Sequence, residues 1–244
     1  PGPIEPEGPI EIPSGDYNKD FNGYYKSLTG LSDAAFAQEL QSFVRKEARS
    51  GGSTSDVKTV DSYGGKNYNI YTGYGGYGNR EHVWPKSQLP SAAPEDFLHN
   101  LRAAVVSVNS TRSNYPFGEG SGTWFLSSSK TFYPGDEHVG DAARIVLYTY
   151  LTYDLDKTAI HRVGKLEMFL KWHEQDPGSD FERSRNSKIQ TVKGPRNPLI
   201  DYPEFVEYLW GSVKTTKTMY EDVLFDISIL LAENYYHNEK REYF

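Results

Sequence analysis

From Asp141 onward the sequence reads as one helical segment after another, at residues 141–153, 164–175, 180–192, 203–210 and 220–236. Apolar residues recur there at the spacing of one helix face, as in Val163, Leu166, Phe169 and Leu170. The breaks are proline and glycine, at Pro134-Gly135, Pro177-Gly178 and Gly194-Pro195. Upstream, Ser32 reads as an N-cap, with Asp33 in the first turn and Phe36, Leu40, Phe43 and Val44 at helical spacing. Only residues 57–77 break the pattern, being rich in Tyr, Thr, Val and Gly, with Tyr68, Ile70 and Tyr71 as the strand core. Gly73, Gly75, Gly76 and Gly78 follow as a flexible loop; no Gly-Lys-Ser comes after them, so a nucleotide cradle is not indicated. The fold class expected is α+β, a mainly α-helical single domain around a small β region. No fixed-period repeat is present, and no long linker interrupts the chain after residue 20.

The first sixteen residues hold Pro1, Pro3, Pro6, Pro9 and Pro13 among Gly and Glu, a linker composition. Residues 1–20 are therefore read as a tether, suited to a removed export signal or lipid anchor, and residues 21–244 as the domain. There is no cysteine, which excludes disulfides and thiolate metal sites. No apolar run is long enough to span a membrane.

A net charge of −7 argues at first against a nucleic-acid binder. Its distribution weakens the objection. Residues 157–196 hold nine Lys or Arg against five Asp or Glu, whereas residues 201–244 hold four against nine. Modest affinity and strong salt sensitivity are expected.

Chemistry concentrates in Asn79-Arg80-Glu81-His82-Val83-Trp84-Pro85, then Leu98-His99-Asn100-Leu101, then Val108-Asn109-Ser110-Thr111-Arg112-Ser113-Asn114. A carboxylate and an amide oxygen suit Mg²⁺ or Ca²⁺, which prefer oxygen ligands and keep several waters. A neutral imidazole can take a proton from an attacking water near neutral pH. Arginines neutralise charge developing on a phosphate. Together these groups can cut a phosphodiester with one bound metal. On this reading His82 is the general base, and Glu81 and Asn109 are metal ligands. Neighbours on a regular strand point to opposite faces, so Glu81 and His82 can share a site only at a strand end, at a bulge, or with the phosphate between them.

The order of these blocks resembles the bacterial endonuclease I family, secreted or periplasmic nucleases of the ββα-metal (His-Me finger) superfamily. The likeness runs from about Tyr24 to about Trp210. It includes Gly140-Asp141-Ala142-Ala143-Arg144, Asp176-Pro177 before Glu182 and Arg185-Asn186, and Arg196-Asn197-Pro198-Leu199-Ile200-Asp201. The resemblance implies that Glu81 and His82 act together, and that residues 80–84 and 97–101 are the two strands of the ββα unit. Residues 103–112 would be its helix. It also implies a divalent metal (Mg²⁺, with Ca²⁺ or Mn²⁺ as alternatives), DNA and also RNA as substrates, 5′-phosphate products, and a secreted, periplasmic or cell-surface location.

Where the family carries a phosphate-holding arginine on the loop between the strands, this chain has Lys86 and no Arg. The role passes to Arg102, Arg112 or Arg80, in that order. Glu95 stands as a supporting acid, although the family's Asp two residues before His99 is replaced by Phe97. His99 is assigned to orienting the site, Arg196-Asn197 to fold support, and Lys188 and Lys193 to weak phosphate contacts.

Two other readings stay open. The 19 Tyr and 4 Trp suit a carbohydrate- or surface-binding module, or a nuclease relative that has lost activity. A zinc hydrolase using His82 and His99 is the third, though no His-Glu-x-x-His motif is present.

Overall fold

The computed structural model describes residues 21–211, apart from 22, 32, 48–50, 155–157 and 193. The proline-rich segment 1–20, the Ser32 cap, Lys193 and the helix expected at 220–236 lie outside the described residues.

The chain folds around helix α4, Val139–Thr149, every residue of which is buried. A helix with no solvent face must be wrapped on all sides. Helix α1 (Asp33–Glu47) packs against the residues just after it, where Gln41 donates to the Leu151 carbonyl at 2.9 Å, and buries Phe36, Leu40 and Val44. Helix α5 (Leu166–Gln175) packs along it through Met168, Phe169, Leu170 and Trp172. Gly140 permits a close approach, because a Cβ there would lie 1.9 Å from the Asp176 carbonyl oxygen. Beyond Thr149 the helix widens into a π-turn, Tyr150–Asp154, matching the segment expected to 153. Helix α6 begins and ends where expected, at Asp180–Val192. The short α7, Pro198–Asp201, is capped by the Asn197 side chain, which accepts from the Leu199 N–H at 2.9 Å.

The β region is small and split. Strands β1 (Ser62–Tyr63), β2 (Lys66–Asn69) and β3 (Gly73–Gly75) form an antiparallel sheet preceded by helix α2, Thr54–Val60. Strands β4 (Asn79–His82) and β5 (Leu101–Ala104) pair antiparallel, placing Glu81 opposite Arg102 and His82 opposite Leu101. Helix α3, Val106–Arg112, follows β5 directly. Strands β6 (Phe125–Leu126) and β7 (Phe132–Tyr133) make a separate hairpin.

Two expectations are corrected. The second strand lies at Leu101–Ala104 and not at 97–101, since Leu98–Asn100 is a 3₁₀ turn, and its helix starts at Val106 instead of residue 103. Leu101-Arg102-Ala103-Ala104 is buried throughout and carries no alternation to mark its register. The glycine-rich stretch is not all loop: Gly73–Gly75 pairs with β2, and Tyr74 packs edge-on against Tyr68 with ring centroids 5.0 Å apart.

Beneath β5 lies an ionic cluster. Asp61, Asp141 and Glu182 face Arg102, Arg144 and Arg185, all at most 4 % exposed. Arg144 grips Glu182 with two bonds of 2.7 Å, and Asp61 accepts from Arg185 Nε at 2.5 Å and from the Ala103 N–H at 2.5 Å. Opposite charges withdrawn from water together tie α2, β5, α4 and α6 into one unit.

Among the described residues most of the aromatic side chains are buried in the core. Phe21, Tyr25, Phe36 and Phe205 are buried, and the large apolar side chains left exposed among the described residues are Tyr74, Val106 and Phe125. No helix among the described residues is long and apolar enough to cross a membrane.

Candidate active site

Strand β4 ends at His82, so Glu81 and His82 are its last two residues. At that end the alternation no longer separates them. Both line one cleft of about 510 Å³ together with Arg80, Lys86, Asn109 and Ser113.

Glu81 is 3 % exposed. Its Oε1 accepts from the Tyr71 hydroxyl at 2.9 Å and lies 3.2 Å from Arg112 Nε, an ion pair not aligned as a hydrogen bond. Burial pushes its carboxyl up to about 7, against the pull of Arg112, Tyr71 and the His82 backbone N–H. Such a group is poised to exchange its proton for a cation near neutral pH.

His82 is half-buried. Burial and the neighbouring Arg80 hold its imidazole below the ordinary value, opposed by a hydrogen bond from the ring to the backbone carbonyl of Glu95. That bond fixes one nitrogen as donor and leaves the other as acceptor. Glu95 thus meets His82 through its backbone. Its exposed carboxylate pairs with Lys86 and does not enter the cleft.

Asn109 reaches the cleft from α3. Its amide nitrogen donates to Asn79 Oδ1 at 2.9 Å and to the Arg80 carbonyl at 3.2 Å, which pins α3 against β4. With the nitrogen so engaged, Oδ1 is the end available to a cation.

The three arginines part company. Arg112 is fully buried, donating to the Val83 carbonyl at 2.9 Å and the Ser113 carbonyl at 2.8 Å, with its guanidinium over the Phe117 ring. It steadies Glu81 from behind and does not line the cleft. Arg102, ranked first from sequence, is not at the cleft: its guanidinium is held by Asp141 at 2.9 Å and Asp61 at 3.3 Å within the ionic cluster. Arg80, ranked last, is the exposed arginine that lines the cleft, anchored by one bond of 2.8 Å to the Gly52 carbonyl. A paired, buried guanidinium reads in sequence the same as a free one.

His99 does not line the cleft. Its Nε2 lies 2.6 Å from the Pro195 carbonyl oxygen, its ring packs on Tyr148, and burial pushes its pKa down to about 3. Among the described residues no group of three or more His, Asp or Glu gathers as a metal site, and His82 and His99 do not form one. Lys188 bonds the Ser62 carbonyl and stands away from the cleft. Arg196 holds Asp201 with bonds of 2.6 and 2.5 Å, the fold-support role read for it.

Sequence reading missed two residues. Tyr71, taken as strand core, sits in the left-handed region at φ 75°, rare for a bulky side chain, and delivers its hydroxyl to Glu81. Asn100 is buried and clamps Trp84, accepting from its N–H at 2.7 Å and donating to its carbonyl at 2.9 Å. The amide thereby stands in for a strand partner just past the end of β4. Its place in the block that answers Arg80–Pro85 was the available signal.

Comparison with known proteins finds relatives named as nucleases. The chain is 33% identical over 229 residues to an extracellular ribonuclease of Bacillus amyloliquefaciens, covering 78% of this chain and 79% of that protein. It is 38% identical over 165 residues to an extracellular ribonuclease of Bacillus subtilis strain 168, covering 58% and 57%. A periplasmic deoxyribonuclease of Aeromonas hydrophila matches at 29% over 117 residues, 44% of this chain and 48% of that protein. Residues 24–204 match the family described as endonuclease I, and the chain, a nuclease that hydrolyses phosphodiester bonds, belongs to the endonuclease I family.

Proposed function

We propose that this chain is a metal-dependent endonuclease of low sequence selectivity that cuts RNA and DNA outside the cytoplasm and leaves 5′-phosphates. The observation that carries this is the convergence of Glu81, His82 and Asn109 on one cleft beside exposed Arg80 and Lys86. Relatives named for ribonuclease and for deoxyribonuclease activity support both substrates, and their extracellular and periplasmic names support secretion.

Nucleases of this family generally use a divalent metal. The residues present fit one: a carboxylate and an amide oxygen are hard donors, and the Asn109 nitrogen is turned to protein acceptors. Glu81 and Asn109 would hold it. When bound, such an ion supplies positive charge to the phosphate oxygens and the departing 3′ oxygen. Mg²⁺ is the natural occupant of so sparse a protein ligand set.

His82, neutral and oriented by the Glu95 carbonyl, takes a proton from water as the water oxygen bonds to phosphorus. The bond from phosphorus to the 3′ oxygen breaks, so the phosphate stays on the 5′ side and the 3′ oxygen is protonated from solvent. Arg80 and Lys86 draw the polyanion to a chain whose net charge is −7.

The test is nicking of supercoiled plasmid and cutting of a structured RNA, with Mg²⁺ or EDTA, by the wild type and His82→Ala. Cutting that needs both metal and His82 is expected. Equal cutting by the two proteins would remove His82 as the base, and inactivity on both substrates with every divalent ion would overturn the reading.

A further inference from the structure

A second cavity, of about 640 Å³, shares no lining residue with the cleft and is not used by the hydrolysis described above. Its walls include Tyr71, Thr72, Thr123, Trp124, Glu137 and His138. Tyr71 is the partition, since the hydroxyl of a residue lining this cavity touches Glu81, which lines the cleft. The far wall is built. Gly122 and Asp136 are clamped by two bonds, Asp136 N–H to the Gly122 carbonyl and Gly122 N–H to Asp136 Oδ1, each 2.9 Å. Behind it Trp124 stacks on Phe132 with centroids 6.1 Å apart and planes at 23°.

Two residues of its lining carry polar atoms with no hydrogen-bond partner among the described residues. His138 is 4 % exposed, and its buried Nδ1 has no hydrogen-bond partner. Glu137 is exposed, and its carboxylate makes no hydrogen bond or ion pair among the described residues. An aromatic face with a carboxylate beside it disfavours phosphate and favours a flat, apolar-faced ligand that carries N–H donors. A nucleobase has that chemistry, and guanine presents two adjacent N–H donors on one edge where thymine presents one. Bases also stack on aromatic side chains.

Building on the nuclease reading, we propose that this cavity receives a base next to the scissile phosphate, stacked on Trp124 and read by Glu137, with guanine preferred. The catalytic cleft then selects the phosphodiester, and this neighbour adds a bias in where the strand is cut.

Trp84, Trp172 and Trp210 are at most 4 % exposed, so Trp124 is the tryptophan placed to report binding. Catalytically silenced protein, His82→Ala in Mg²⁺, is titrated with d(TTGTT) and with d(TTTTT) while tryptophan emission is followed. Quenching by d(TTGTT) at roughly tenfold lower concentration is expected from one added hydrogen bond to the Glu137 carboxylate. Added Trp124→Phe should abolish the quench, and added Glu137→Gln, a surface change, should erase the preference. Equal affinity for the two oligonucleotides, or quenching that survives Trp124→Phe, overturns the inference while leaving the nuclease intact. Wild-type protein that cuts no nucleic acid overturns both.

Discussion

The Tyr71 hydroxyl donates to Glu81 Oε1 at 2.9 Å from a backbone held at φ 75°. Burial and the adjacent Glu81 raise the phenol well above its ordinary pKa, so it stays a donor throughout the working pH range. A hydrogen bond to a charged group contributes about 1.5–3 kcal/mol. Tyr71→Phe keeps the ring and removes only this bond. The Mg²⁺ concentration for half-maximal activity should rise roughly tenfold or more, with kcat at saturating metal within a few-fold of wild type. An unchanged Mg²⁺ requirement would show that Tyr71 does not hold Glu81 for the metal.

Glu81 should also set the acid side of the pH–activity profile. Its carboxyl is raised to about 7, whereas His82 is held below the ordinary imidazole value and so is already neutral there. Below about 7 the proton and the metal compete for one carboxylate. The acid limb should therefore move to lower pH as Mg²⁺ is raised, by up to about one unit per tenfold. Measuring kcat/KM from pH 5 to 9 at two Mg²⁺ concentrations checks this. A limb that ignores Mg²⁺ belongs to His82 instead.

How much of this was legible in the sequence depends on what each residue type reveals. Helix α6 matched its expected ends because Pro177-Gly178 and Gly194-Pro195 bracket a regular periodic run. Strand β5 starts four residues later than expected because a wholly buried strand lacks alternation. Glu81, His82 and Asn109 came together because each brings a distinct chemistry and the blocks stand in a recognisable order. The arginines did not sort, since what separates Arg80 from Arg102 is the pair of carboxylates, Asp61 and Asp141, packed around Arg102 from distant segments. Tyr71 was invisible as a functional residue because its role rests on one backbone angle.

Arg102 should accordingly matter for stability and not for chemistry. Arg102→Leu leaves Asp141 and Asp61 short of a partner at full burial. Breaking one side of a buried ion pair costs about 3–5 kcal/mol. Urea denaturation should show a loss of that order, while activity per folded molecule, measured well below the melting temperature, stays within about twofold. A normal urea midpoint with lost activity would return Arg102 to the phosphate.

His99 gives a pH-dependent stability of known sign. Its folded pKa, about 3, lies below the ordinary 6.5, so the unfolded chain takes up the proton first as pH falls. The stability it contributes is complete above about 6.5 and is lost progressively as pH falls toward 3. His99→Asn cannot titrate. It should lower Tm at pH 7 through lost packing on Tyr148, yet flatten the fall in Tm between pH 7 and pH 5. Parallel Tm–pH curves for the two proteins would assign that slope to the other buried histidines.

Arg80 and Lys86 are the exposed cations on the cleft, and they should govern how nucleic acid is drawn in. Lys86 is partly neutralised by Glu95, which leaves Arg80 the stronger of the two. Each phosphate contact adds roughly one to the slope of log affinity against log salt. Arg80→Ala should therefore raise KM several-fold at low salt, reduce the salt slope by roughly one, and change kcat less than KM. Lys86→Ala should do the same more weakly, because it also frees the Glu95 carboxylate beside the substrate path. KM measured for both variants between 50 and 200 mM salt, roughly the range over which phosphate contacts separate, decides between them. If Arg80→Ala lowers kcat by orders of magnitude at every salt concentration, Arg80 acts on the transition state, and the cleft has its phosphate-stabilising arginine on β4 beside the base.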